Sequence, residues 1–232
     1  MKKIFVSFLV ILLLCPTIAL AVGKLTVINE VFIVLPYSSY HAGYIYAELE
    51  NTGDKPVEYS GGLLELYDAD GNSIESTSPY RMYPNVLQPG EKGYIMDYQS
   101  VKEATDRSFI DDYLLTATGK GANSSDNVIR YPASAYLDIV KRSSSWINYY
   151  QVATFENDTT KTCSDFYVVF VARDKEGNML HVQHCNPSYV GVLPGSSVEV
   201  RYRLDSDIIE YYEDKGVVID TVDAIVFTYE DE

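Results

Sequence analysis

The chain carries one pattern twice, 106 residues apart. Ala47-Glu48-Leu49-Glu50-Asn51 returns as Ala153-Thr154-Phe155-Glu156-Asn157. Leu66-Tyr67-Asp68-Ala69-Asp70-Gly71-Asn72 returns in the same register as Ala172-Arg173-Asp174-Lys175-Glu176-Gly177-Asn178. Lys55 meets Lys161 and Tyr83 meets Tyr189 without a gap, and Pro89-Gly90 meets Pro194-Gly195 after a slip of one residue. An ordered repeat of this length means one supersecondary unit used twice. The expected organisation is a first module over residues 22–122 and a second over 123–232, with one larger sandwich or barrel as the alternative.

Each copy reads as β-structure. Strands are expected at Leu25–Val34, Tyr44–Glu50, Gly62–Tyr67, Asn72–Ser76, Gly93–Asp97 and Tyr113–Thr118 in the first copy. In the second they fall at Tyr136–Lys141, Tyr149–Glu156, Phe166–Arg173, Asn178–Gln183, Ser197–Leu204 and Val222–Tyr229. Asp68–Gly71 and Asp174–Gly177 are turns, because Asp bonds its own following backbone and Gly accepts positive φ. A short helix is expected in each copy, near Ser100–Thr105 and over Asp207–Glu213, the latter with Asp205 or Ser206 as N-cap. Gly119–Asn127 reads as a linker or long loop. Short strands with turns every 8–12 residues predict an all-β fold of two tandem immunoglobulin-like β-sandwich modules.

The segment Leu64-Glu65-Leu66-Tyr67-Asp68 resembles the F-x-L-Y-D signature of the FxLYD domain family. The preceding Glu50-Asn51-Thr52-Gly53, the Gly71 turn and the later Leu87-Gln88-Pro89-Gly90 fall in the order typical of that family. Leu64 stands where the signature has Phe, and the second copy, Phe170–Asp174, keeps only the Phe and the Asp. The resemblance implies an immunoglobulin-like sandwich in an exported bacterial protein, and no catalytic residues. The segment has a structural reading as well: Leu64 and Leu66 share one strand face and enter the core.

The N-terminus predicts export. Lys2 and Lys3 precede an apolar run from Ile4 to Leu14, and Ala19-Leu20-Ala21 gives a small-x-small ending. That is a signal peptide over residues 1–21, cut between Ala21 and Val22. The run is shorter than the roughly 20 residues a spanning helix needs, so the mature chain is not expected to insert in a membrane. Lipidation at Cys15 is the lesser alternative, since Leu13, Leu14 and Pro16 are poor neighbours for it. The expected location is the cell surface or the medium.

The formal charge of −15 comes from 18 basic and 33 acidic residues. Loss of Lys2 and Lys3 makes the mature chain more acidic still. Nucleic acid is thereby disfavoured as a partner, because phosphate recognition needs positive patches.

No catalytic or cofactor-binding set stands out. The 3 histidines are His41, His181 and His184, and nothing resembles Gly-x-Ser-x-Gly. Asp68-x-Asp70-Gly71-Asn72 hints at calcium, but the twelfth position is Pro79 rather than Glu. His181, His184, Cys163 and Cys185 resemble a zinc set in number but not in spacing. For an exported chain the expected role of Cys163 and Cys185 is a disulfide. It would close a loop of about 23 residues and add about 3 kcal/mol.

The 21 tyrosines are the most suggestive feature. They cluster at Tyr37/Tyr40/Tyr44/Tyr46, Tyr80/Tyr83, Trp146/Tyr149/Tyr150 and Tyr211/Tyr212, and Trp146 falls where the first copy has Tyr40. Tyrosine gives binding surfaces large contact area with a polar tip. Tyr40, Tyr44, Trp146, Tyr149 and Tyr150 are therefore the candidate binding aromatics, for an unidentified protein or glycan. The expected function is a non-enzymatic binding or spacer module. The alternatives are a secreted hydrolase using paired carboxylates, and a metal-binding module around His181, His184 and Cys185.

Overall fold

The computed structural model describes residues 23–37, 40–79, 81–102, 110–122, 128–143, 146–187 and 190–229. The expected signal segment, with Cys15, Ala21 and Val22, lies outside them.

The first half contains β1 (Leu25–Tyr37), β2 (Tyr40–Asn51), β3 (Val57–Tyr67), β4 (Ser73–Thr77), β5 (Met82–Tyr83), β6 (Val86–Leu87), β7 (Lys92–Lys102) and β8 (Asp112–Gly121). The second contains β9 (Val128–Tyr131), β10 (Ala133–Ser143), β11 (Trp146–Glu156), β12 (Tyr167–Arg173), β13 (Met179–Cys185), β14 (Ser197–Arg203), a helix α1 (Ser206–Asp214) and β15 (Thr221–Tyr229). The sheets are β1-β2-β7-β5 against β4-β3-β8 with β6, and β10-β11-β14 against β13-β12-β15-β9. Among the described residues every strand pairing stays within its own half.

The fold is thus an all-β sandwich type, and the sequence repeat is a repeat of topology. Strands β1, β2, β3, β4, β7 and β8 correspond to β10, β11, β12, β13, β14 and β15. Register agrees as well. Glu50 faces Lys92 as Glu156 faces Ser197, and Leu64 faces Thr77 as Phe170 faces Gln183.

Period-two alternation fills each core. Ala47 and Leu49 of β2 pack with Val57 and Ile95, while Ile45 packs with Leu64 and Leu66. At the corresponding sites Ala153 and Phe155 of β11 pack with Phe166, Phe170 and Ala172. The rings of Phe155 and Phe166 meet edge to face, centroids 4.8 Å apart.

The loops repeat too. Asp68 Oδ1 accepts from the N–H of Asp70 and Asn72 at 3.0 and 2.8 Å, and Asp174 Oδ1 accepts from Glu176 and Asn178 at the same distances. Gly71 and Gly177 close these turns with φ of 78° and 84°. Asn51 and Asn157 are fully buried, although their neighbours read as loop. Asn51 Nδ2 donates to the carbonyls of Lys55 and Leu87 at 2.8 and 3.0 Å. Asn157 Nδ2 donates to those of Lys161 and Val192, both at 2.8 Å. Each Asn ties its own loop to a later segment, at Leu87 of β6 in the first half and at Val192 in the second.

Two expectations need correction. Ser100–Lys102, expected to open a helix, continue β7 and pair with Tyr40–Ala42. Val101 is buried among Ile45 and Leu66, so the extended chain wins over local helix preference. The remainder of that expected helix lies outside the described residues. Gly119–Gly121, expected in a linker, belong to β8 and pair with Val57–Tyr59. The helix expected over Asp207–Glu213 is present as α1, with Asp205 as its N-cap. Among the described residues no helix is long and apolar enough to cross a membrane.

The halves dock closely. Strand β13, at the edge of its sheet, touches β1, β2 and β7. It covers part of the outer face of that sheet and shields its own unpaired edge. Sheet β1-β2-β7 is consequently buried on both sides over much of β2.

Candidate binding site

The outer face of β1-β2-β7 is built from alternate residues. Tyr44, Tyr46 and Glu48 of β2 lie opposite Tyr98, Met96 and Tyr94 of β7. Their even spacing sets them on the face away from Ile45, Ala47 and Leu49. What covers this face changes along it.

At one end lies an ion-pair network between the halves. Glu48 is 3 % exposed. It accepts from Lys92 Nζ at 2.8 Å, Tyr94 Oη at 3.1 Å and Arg173 Nη2 at 3.4 Å. Arg173 Nε also donates to Asp223 at 2.8 Å. Burial alone would raise the Glu48 carboxyl, but the Lys92 hydrogen bond and the Arg173 and Lys92 charges outweigh it and hold the carboxyl below its ordinary value. A second clamp joins Arg130 to Glu91 through two hydrogen bonds, at 2.9 and 2.7 Å.

In the middle, aromatic rings meet histidines of β13. Tyr46 lies edge-on to His181 with centroids 4.9 Å apart, and Tyr83 of β5 stacks on His184 at 4.1 Å. Burial raises the Tyr46 phenol well above its usual range and pushes the His181 imidazole down to about 4.

At the far end the tyrosines emerge from under β13. The rings of Tyr37 and Tyr40 stack at 4.8 Å, and those of Tyr44 and Tyr98 lie 5.2 Å apart. The hydroxyls of Tyr37 and Tyr44 meet at 3.4 Å, and Tyr37 donates to Asp207 of α1 at 3.2 Å. The hydrogen bond to Tyr44, followed by burial, raises the Tyr37 phenol. Tyr98 is 46 % exposed.

These side chains border a cavity of about 320 Å³ between the halves. Tyr44, Tyr46, Met96 and Tyr98 line it from the first half, and His181 and Asp205 from the second. Asp97 also belongs to the lining, and burial raises its carboxyl. Asp97 and Asp205 are both engaged by backbone, through the N–H of Tyr98 at 2.7 Å and of Asp207 at 3.0 Å. The volume falls in the range of small-molecule sites.

Of the aromatics singled out in the sequence, Tyr40 and Tyr44 come together here. Tyr149 and Tyr150 do not join them. Tyr149 Oη donates to Glu213 of α1 at 3.2 Å, while Arg201 sits 5.0 Å over the Tyr150 ring. Trp146 begins β11, and its side chain lies outside the described residues. Sequence reasoning missed Met96, Tyr98 and Asp205 as partners of the cluster. The alternation Tyr94-x-Met96-x-Tyr98 was the available signal for a second apolar face on β7.

The expected Cys163–Cys185 disulfide is not formed in the structure. Cys163 sits on an isolated bridge to Val192, with Tyr131 hydrogen-bonded to its thiol. Cys185 ends β13 opposite Val168. Burial raises both thiols, Cys185 to about 11. Among the described residues no three His, Cys, Asp or Glu side chains gather as a metal-binding group. His181 and His184 face separate tyrosines instead.

No protein-family model and no curated protein matches the chain.

Proposed function

We propose that the chain is an exported, non-enzymatic binding module whose ligand site is the tyrosine cleft between its two β-sandwich halves. One observation carries the reading. Tyr37, Tyr40, Tyr44 and Tyr98 converge from three strands beside a cavity of about 320 Å³, with Tyr98 still 46 % exposed. Tyrosines placed for packing alone would be covered, as Tyr46 is. Partly open phenols offer a ligand contact area and hydrogen-bonding tips at low entropic cost. The signal-like start and the FxLYD-like segment support export and a surface role. The ligand classes are those expected of such a surface, a protein or a glycan.

The test is nuclear magnetic resonance mapping of the mature chain against short oligosaccharides and peptides. Binding should shift resonances of Tyr44, Met96, Tyr98, His181 and Asp205 together. Shifts confined to the outer strands β8 and β14, or no shift with any ligand, would overturn the assignment of this cleft.

A further inference from the structure

The cleft also has a charge character. Among the described residues its walls carry no Lys or Arg. Asp205 lines it, and Asp207, two residues further on, accepts the Tyr37 hydroxyl at its rim. Aromatic faces with carboxylates and no competing cation are the setting in which organic cations bind.

A second, independent feature lies on the same wall. His181 is 4 % exposed, and its Nδ1 has no hydrogen-bond partner. A buried polar atom without a partner costs free energy. Burial keeps the ring neutral near pH 7, with its imidazole at about 4. A neutral imidazole adds no positive charge to this wall.

We infer that the cleft takes an alkylammonium group, which rests on the tyrosine faces and donates to the carboxylate of Asp205. The inference rests on the binding-site reading above and adds the ligand's chemistry. The group can belong to a free amine or to a lysine side chain of a partner.

The experiment titrates the mature chain with n-butylammonium, n-butanol and butyrate at equal ionic strength, following amide resonances. Butylammonium should shift Tyr44, Tyr98 and His181 and bind about tenfold more tightly than butanol, with butyrate weakest. D205N keeps a helix cap, since Asn caps as well as Asp, but should weaken butylammonium about fivefold. Tyr98→Leu should weaken it by a similar factor, with an unchanged circular dichroism spectrum. Nα-acetyl-lysine amide separates the sources: tighter binding than butylammonium assigns a lysine side chain, and weaker binding a free amine. Equal binding of butanol or butyrate, or no shift with butylammonium, overturns the cation assignment. The cleft reading falls only if oligosaccharides and peptides also leave these resonances unmoved.

Discussion

Glu48 and Arg173 meet across the junction of the halves, 3.4 Å apart, with both side chains largely buried. They come from β2 and β12, separated by 125 residues, so their contact exists only when the halves dock.

That pair makes docking sensitive to acid. The folded Glu48 carboxyl is held below its ordinary value of 4.5. A lowered folded value means that Glu48 stabilises fully above the unfolded value and loses this effect as pH falls through the folded one. E48Q should lower stability by about 2 kcal/mol at pH 7, because it strands part of a buried ion pair. The difference between E48Q and the parent should shrink towards pH 3. Urea unfolding at a series of pH values checks both; a difference independent of pH would contradict the assignment.

Asn51 and Asn157 should be equally intolerant of truncation. N51A removes the donors to the buried carbonyl of Leu87 and the part-buried one of Lys55, and N157A removes those to Val192 and Lys161. Each should cost about 1–3 kcal/mol, since one buried carbonyl is left without a donor. The corresponding change at exposed Asn72 should cost less. Denaturant midpoints of the three variants decide this.

Gln151 presents the opposite case. It is fully buried, and neither Oε1 nor Nε2 has a partner. The first half has Ile45 at the corresponding site, 106 residues earlier. Gln151→Met keeps the length of the side chain and removes the unpaired amide. It should raise stability by about 1–2 kcal/mol. Destabilisation would mean that the amide is engaged in solution.

Both thiols should resist reagents in the folded state, because burial raises them, Cys185 to about 11. Thiol titration of residues 22–232 without reductant should give none when folded and two when unfolded. Two thiols that appear only after reduction would restore the Cys163–Cys185 disulfide expected from export.

Much of the fold was legible because the repeat is local in its consequences. The Asp68 and Asp174 turns and the Ile45, Ala47, Leu49 alternation are written in neighbouring residues. The junction was not legible. Tyr44 and Tyr46 share a face in sequence, yet β13 covers Tyr46 and leaves Tyr44 half-buried, and no local pattern encodes where another half will dock. Val101 shows the same limit: its segment favoured a helix locally, and packing on Ile45 made it a strand. Asn51 looked like a loop residue because its partners Lys55 and Leu87 become partners only after folding.

The central claim is that the second half covers one part of the β1-β2-β7 face and leaves a tyrosine cleft beside it. Nitration of the folded chain with tetranitromethane, mapped by peptide mass, tests this directly. Tyr98, 46 % exposed, should be nitrated, while Tyr46 and Tyr94, 2 % and 5 % exposed, should be protected. Nitration of Tyr46 and Tyr94 at the rate of Tyr98 would show that the halves do not dock on this face.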